Sequence, residues 1–300
     1  MRLMGIGYST KCNLHCKHCF VDTAREYYDN CTMELDHALD LINEAHEADV
    51  KGIFFTVGEP LLFHDDIKIL IARCNQHKIL TRVVTNGYWA STPEEADTMV
   101  SELVEAGLNH IRISCDRFHQ EEVPMANIVN AVDSCNKYRL LYNVSFVTDF
   151  TEQDKDIELE LKSNSLKYNA ESLIYYGAAT KLDRPTAIYP ASDNKCPIMI
   201  PVVWPNGKIF SCCGPGGYFR ETEVFAPADL NNISLSKYYR DFETNPIIQS
   251  IIQIGLTTMA NSLGMLSCDI AKLHRCELCE KIFNSPVKTK RITKIVMGSK

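Results

Sequence analysis

Three cysteines near the start of the chain carry the most specific chemistry in the sequence. Within Thr10 to Phe20, TKCNLHCKHCF, Cys12, Cys16 and Cys19 follow a C-x3-C-x2-C spacing. Thiolates this close on one loop can wrap an iron–sulfur cluster but supply only three of its four ligands, leaving one iron open to a group that is not protein. The alternatives are a zinc site completed by His15 or His18, since Cys and His both suit that metal, and chance clustering.

A second cysteine set lies at the other end: Cys196, Cys212, Cys213, Cys268, Cys276 and Cys279. Cys196 and Cys212 bracket two strand-like runs, Ile198 to Trp204 and Lys208 to Cys213, joined at Pro205-Asn206-Gly207, where Asn-Gly is a strong hairpin turn. Cys276-Glu277-Leu278-Cys279 adds a C-x-x-C. The four thiolates of Cys196, Cys212, Cys276 and Cys279 are enough to saturate a cluster or to hold zinc, and Cys213 or Cys268 can stand in for one of them. Thirteen cysteines in one chain point to metal binding or catalysis where disulfides do not persist. Cys31, Cys74, Cys115 and Cys135 sit among apolar residues and read as small buried hydrophobes.

Composition narrows the function classes. A net charge of −7 over 300 residues argues against nucleic acid as the main partner, because phosphate binding draws on clustered Lys and Arg. The one basic cluster, Lys288, Lys290, Arg291 and Lys294, reads as a solvated end. No apolar run is long enough to span a membrane, and MRLMGIGYST enters a strand without a targeting pattern. The expected location is cytoplasmic.

The elements that must position these cysteines are legible as an alternation. Met33, Leu35, Ala38, Leu39, Ile42 and Ala45 keep a helical period, with Thr32 as candidate N-cap. Strands are expected at Gly52 to Val57, Leu80 to Thr85, His110 to Cys115, Leu141 to Val147 and Ser172 to Tyr176. Helices are expected at Asp65 to His77, Pro93 to Ala106, Glu121 to Tyr138 and Thr151 to Ser163. Such alternation implies an α/β fold with a parallel sheet, a partial TIM-like (β/α)6 barrel, whose chemistry lies at the C-terminal strand ends. After residue 180 prolines accumulate (Pro185, Pro190, Pro197, Pro201, Pro205, Pro215 and Pro227) and the alternation stops. The expected domains are therefore 1–180, the barrel, and 181–300, a small domain with a β-hairpin and helices around Ser234 to Phe242 and Ile247 to Asn261.

The cysteine triplet, followed one strand and one helix later by Gly58-Glu59-Pro60, resembles the radical SAM superfamily. The resemblance implies a [4Fe–4S] cluster on Cys12, Cys16 and Cys19 whose open iron chelates S-adenosyl-L-methionine. Reductive cleavage of that cofactor gives a 5′-deoxyadenosyl radical that abstracts hydrogen from substrate. Gly58, Glu59 and Pro60 match the superfamily's Gly-Gly-Glu-Pro stretch, which receives the cofactor's amino group, with Val57 in place of the first Gly. Ser114 and Asp116 match strand-end positions that contact the cofactor's ribose or carboxylate. Thr85 and Asn86 follow the usual Thr-Asn-Gly manner and line the same cavity, or serve as a cap and turn. Arg117, Phe118 and His119 extend the strand-end loop, His119 as a satisfied loop histidine or a proton shuttle. His18 stands where an aromatic residue commonly packs on adenine.

The second cysteine group resembles the Twitch domain, a shortened relative of the SPASM domain that binds one auxiliary [4Fe–4S] cluster. Enzymes of this layout modify ribosomally made peptides, by crosslinks, thioethers or epimerisation, or dehydrogenate small molecules such as amino sugars in natural-product biosynthesis. The expectation is a peptide-modifying radical SAM enzyme, with the small-molecule dehydrogenase as alternative. The chain starts directly at the first strand, so peptide recognition would need a separate protein, and reduction would need a donor such as flavodoxin or ferredoxin. The two-cluster enzyme of molybdopterin synthesis usually ends in Gly-Gly, whereas this chain ends Met297-Gly298-Ser299-Lys300, and that reading is set aside. The non-enzymatic alternative is a zinc-stabilised binding protein.

Overall fold

In the first half of the chain, strands with one apolar face alternate with helices that carry one apolar stripe, and such faces must be buried against each other. The computed structural model, which describes all residues except 20, 22–30, 185–195, 197–198, 215–224 and 299–300, contains the resulting sheet. Six parallel strands lie side by side in sequence order: β1 (Arg2–Gly7), β2 (Val50–Thr56), β3 (Leu80–Thr85), β4 (His110–Ser114), β5 (Leu141–Thr148) and β6 (Tyr168–Ser172). They are joined by α1 (Leu35–Glu47), α2 (His64–Gln76), α3 (Pro93–Ala106), α4 (Met125–Lys137) and α5 (Glu152–Ser163). Parallel neighbours need such crossovers, and the expected α/β class with a parallel six-stranded sheet is what forms.

The two faces of the sheet differ. Met4, Ile6, Ile53, Phe55, Val83, Ile111 and Ile113 join helix residues such as Ile42, Ile71, Leu103 and Ile128 in one buried cluster. On the opposite face the register sets Gly5, Phe54, Arg82 and His110 in one row and Val84, Arg112 and Asn143 in the next. Arg112 donates to Ser145 Oγ at 2.7 Å and pairs with Glu171. This face therefore carries the polar lining.

The chain after residue 181 returns to the sheet. β7 (Val202–Val203) runs parallel to β1, and β8 (Lys208–Phe210) and β9 (Ala228–Asp229) follow antiparallel, extending the sheet to nine strands. The hairpin turns at the expected Asn206-Gly207, where Gly207 has φ +76°. α6 (Leu235–Thr244) packs on α1. The helices α7 (Pro246–Gln253), α8 (Leu256–Ser262), α10 (Arg275–Phe283) and α11 (Pro286–Gly298), with the short α9 (Ser267–Ile270), enclose a second apolar cluster that includes Ile251, Met259, Leu278, Phe283 and Ile292. Residues beyond 181 thus contribute both to the barrel's sheet and to a core of their own.

Several boundaries differ from expectation, each for a local reason. Thr32 does not cap α1; Glu34 holds the N-cap position without a side-chain cap bond, and Thr32 pairs with Ser9 across a bridge, their hydroxyls 2.8 Å apart. α4 starts at Met125 because Pro124 holds the N-cap, leaving 116–123 as turns. The sixth strand is Tyr168–Ser172 rather than Ser172 to Tyr176, since it pairs in register with Val144–Thr148, where β5 ends. The expected helix from Ile247 to Asn261 breaks at Gly255, φ +89°. Ile198 and Pro185, Pro190, Pro197 and Pro215 lie outside the described residues. No helix among the described residues is long and apolar enough to cross a membrane.

Candidate active site

The cysteine loop leaves the C-terminal end of β1 and is tied down at both flanks. Leu14, 4% exposed, plugs it into the main core, and its N–H donates to Cys12 Sγ at 3.5 Å. Cys19 N–H donates to Cys16 O at 3.0 Å, closing a turn, and Ala178 N–H, just beyond β6, donates to Cys19 O at 3.1 Å. His15 N–H donates to Glu122 Oε1 at 2.9 Å in the loop after β4. All three thiols are half-buried.

The turn after β2 fits beneath this loop. Val57 and Gly58 have φ +69° and +61°, a left-handed pair that folds the chain against the cysteine loop, and Glu59 N–H donates to Lys11 O at 2.8 Å. A Cβ on Gly58 would stand 2.2 Å from Lys11 O, so only glycine fits. Pro60 opens a short 3-10 turn, Pro60–Phe63. The Glu59 carboxylate is buried and consumed by the chain itself: Oε1 accepts from Leu61 N–H (3.0 Å) and Thr85 Oγ1 (2.9 Å), Oε2 from Asn86 N–H (2.7 Å). Burial outweighs these donors and pushes its pKa up to about 7. Asn86 passes the link on, its Nδ2 donating to Asn13 Oδ1 at 2.9 Å within the cysteine loop. Glu59 therefore couples the ends of β2 and β3 to the cysteine loop.

Asp116 does a similar job after β4. Fully buried, its Oδ1 accepts from Phe118 N–H (3.0 Å) and His119 N–H (3.1 Å), and its Oδ2 meets His119 Nδ1 at 2.9 Å and His18 Nε2 at 3.5 Å. Burial opposes its charge, but the two imidazoles hold it well below the usual carboxylate range. His119 is raised to about 10: burial works against its charge and Asp116 overrides it. His18 stacks on Phe118, centroids 4.5 Å apart, and its Nδ1 is buried without a hydrogen-bond partner. Cys16, His18 and His119 bring their ligand atoms within 4.8 Å of one another, the only such trio of His, Cys, Asp or Glu among the described residues. Ser114 closes β4, half-buried, opposite Ser145.

The second cysteine group converges from three segments. A Cβ placed on Gly214 would lie 3.7 Å from both Cys212 Sγ and Cys276 Sγ. Burial, together with the neighbouring thiols of Cys196, Cys213 and Cys276, pushes Cys276 up to about 12 and Cys279 well above its ordinary value. Cys213 joins this group beside Cys212, whereas Cys268 is exposed and its thiol meets Asp269. Helix α10, which bears Cys276 and Cys279, is fixed at its start by a capping box of His274 and Glu277, and Arg184 grips Glu277 with two hydrogen bonds of 2.7 and 3.0 Å.

Residues 6–171, more than half of the chain, match the family profile described as the Radical SAM superfamily. The chain belongs to the radical SAM superfamily. It is 26% identical over 166 residues to the GTP 3′,8-cyclase of Helicobacter pylori, a match covering 52% of this chain and 49% of that enzyme. It is 25% identical over 161 residues to that of Clostridium perfringens, covering 50% and 48%. The chain spans about half or less of the length of these curated relatives. Among solved structures, native anSMEcpe with bound AdoMet and Cp18Cys peptide superposes with a TM-score of 0.62 over 99% of both chains at 12% identity. BtrN in complex with AdoMet and 2-DOIA gives 0.50 at 11% identity, covering 84% of this chain and 87% of that one. These likenesses concern the fold.

Radical SAM membership makes the chain an enzyme and implies a [4Fe–4S] cluster and S-adenosyl-L-methionine. The radical SAM residues present fit both groups: three thiols on one short loop, and a buried, unpartnered His18 Nδ1 beside them. Around this site the sequence reading overlooked Asp149, Asp154 and Tyr175. Arg117 holds Asp149 with two hydrogen bonds of 2.6 and 2.8 Å, reaches Asp154 at 2.8 Å, and lies 4.3 Å over the Phe118 ring. Tyr175 OH donates to Asp149 Oδ2 at 3.0 Å. Thr151 and Asp154 form a capping box, and their T-x-x-D spacing was the available signal.

Proposed function

We propose that Cys12, Cys16 and Cys19 ligate the [4Fe–4S] cluster and that S-adenosyl-L-methionine lies between the cysteine loop, Gly58–Glu59–Pro60 and the loop after β4. The cofactor supplies hydrogen-atom abstraction, through reductive cleavage to a 5′-deoxyadenosyl radical. The protein's part is ligation, orientation and exclusion of side reactions. Glu59 and Asn86 hold the turn against the cysteine loop, and Asp116 holds His18 and His119 against Cys16. The reading extends to a Twitch-like auxiliary cluster on Cys196, Cys212, Cys276 and Cys279, with Cys213, beside Cys212, placed to replace one of them, in a domain that starts near 181.

The observation that carries the auxiliary cluster is the meeting of Cys212 and Cys276 around Gly214. Four thiolates suit a [4Fe–4S] cluster or a tetrahedral zinc alike, and the radical SAM domain upstream favours the cluster. The substrate reading is a ribosomally made peptide, in keeping with whole-chain likeness to a structure that holds a peptide. Dehydrogenation of a small molecule is the second reading, in keeping with the likeness to BtrN. A flavodoxin- or ferredoxin-like donor and a separate peptide-recognition protein complete the proposal.

Iron and labile sulfide after anaerobic reconstitution test it. About eight of each per chain are expected for two [4Fe–4S] clusters; about four would remove the auxiliary cluster. The double variant Cys276→Ala/Cys279→Ala should still form 5′-deoxyadenosine, at least in part, and form no product. A short precursor-peptide reading frame beside the gene would favour the peptide reading over the small-molecule one.

A further inference from the structure

A positive φ at a β-branched residue needs a reason, and for Val57, at +69°, the reason lies in what its side chain reaches. Valine rarely enters the left-handed region because its Cβ substituents crowd the backbone there, whereas glycine enters freely. Such strain persists only where the surroundings hold it in place. Here the surroundings are the hairpin: Val57, 8% exposed, is buried in one apolar cluster with Val202, Trp204 and Phe210, and Phe54 packs alongside. Beneath it lies Gly7, whose missing side chain makes the room. A Cβ on Gly7 would stand 3.0 Å from both Cβ and Cγ2 of Val57.

The two left-handed residues therefore act on different neighbours. Gly58 lets the turn close on the cysteine loop, and Val57 grips the hairpin that β7 and β8 form. Two residues after Phe210 the chain reaches Cys212. A glycine at 57 would ease the backbone and leave the hairpin without this contact.

We propose that Val57 is a positioning residue that locks the Cys212-bearing hairpin onto the Gly58–Pro60 turn, so that S-adenosyl-L-methionine at the turn and the packing of the hairpin are thermodynamically coupled. This rests on the reading above that the turn borders the cofactor. Coupling between two sites is reciprocal: loosening the hairpin weakens cofactor binding, and cofactor binding tightens the hairpin by the same factor.

The test uses the full chain after anaerobic reconstitution, with S-adenosyl-L-methionine as probe, and measures its Kd by equilibrium dialysis. Val57→Gly and Phe210→Ala should each weaken binding by about five-fold or more, the lower end of usual coupling. The double variant should be no weaker than the weaker single variant, and Val57→Ile, which keeps the apolar bulk, should bind as the parent does. Hydrogen exchange at the Val203 and Phe210 amides should quicken in Val57→Gly and slow when the cofactor is added to the parent. Because Val57→Gly relieves strain, it tests the contact without endangering the fold. An unchanged Kd in Phe210→Ala, or additive losses in the double variant, overturns the proposal. Failure of the parent to bind the cofactor at all would instead refute the reading of the turn, a separate result.

Discussion

The two cysteine groups are built in opposite ways. Cys12, Cys16 and Cys19 belong to one loop, and what surrounds them is a set of strand ends: Glu59 and Asn86 from the turns after β2 and β3, Asp116 after β4, Ala178 after β6. Each of these anchors is itself buried or backbone, so the first group is held by the barrel whether or not a ligand is present. Cys196, Cys212, Cys276 and Cys279 come from three separate segments, and among the described residues Cys212 and Cys276 approach each other at Gly214 while a cap and Arg184 fix the head of α10. Local spacing makes the first group; tertiary assembly makes the second. The first should therefore fail only when its own thiols are removed, and the second should also fail when distant supports are cut.

The largest expected difference is chemical. Cys12→Ala, Cys16→Ala or Cys19→Ala should each abolish 5′-deoxyadenosine formation, measured by chromatography of quenched assays, since each removes one of the three thiolates that the proposed cluster draws from that loop. Full cofactor cleavage in any of the three would refute the assignment of the triplet.

Next in size is Glu59, a buried carboxyl beside the first group whose proton is held by burial. Its folded pKa, about 7, lies above its ordinary 4.5, so the folded protein keeps a proton that the unfolded chain has already released. The stability linked to that proton is fully present below pH 4.5 and is lost as pH rises through about 7, a change of about 3 kcal/mol. In Glu59→Gln that pH dependence should vanish, while the amide, facing two N–H donors and a hydroxyl, costs about 1–3 kcal/mol. Denaturant titrations at pH 5 and pH 8 check both; a Gln variant with the parent's pH profile would show that the carboxyl stays charged throughout.

Arg184→Met tests the second group through its support rather than its thiols. Glu277, 8% exposed, would lose its two-bond partner at the head of α10, which should cost about 2 kcal/mol locally. On the two-cluster reading, iron content should fall toward about four per chain with 5′-deoxyadenosine formation kept. Equal loss from both groups would mean that they share one support.

How much of this was legible in the sequence follows the same division. Pro93–Ala106 was readable at both ends because Pro93 suits a first turn and Gly107 a stop, and the structure uses both, adding Thr92 as N-cap. The triplet and Gly58-Glu59-Pro60 were readable because spacing along the chain is nearly spacing in space. The end of β6 was not, since its register is set by β5, and the apolar residue after it, Leu173, packs with Phe118 and Ala179 instead. Asp149 gave no signal either: its partner Arg117 is 32 residues away. The left-handed backbone of Val57 was hidden for a further reason, since nothing in a valine announces positive φ.

The smallest expected effect bears on where the first group's hold resides. Lys17 lies between Cys16 and Cys19 and pairs with Glu121 at 2.8 Å, but both side chains are about half exposed. Water screens such a pair and ordering two long side chains offsets its attraction, so Lys17→Ala should change stability by about 0.5 kcal/mol or less. Next to it, Glu122 accepts from the backbone N–H of His15, a contact the substitution leaves in place. Iron content and the midpoint of denaturant unfolding should both match the parent. A marked loss of iron in Lys17→Ala would mean that the loop is held from its solvent side, and the contrast with the second group, whose supports are distant in sequence, would lose its physical basis.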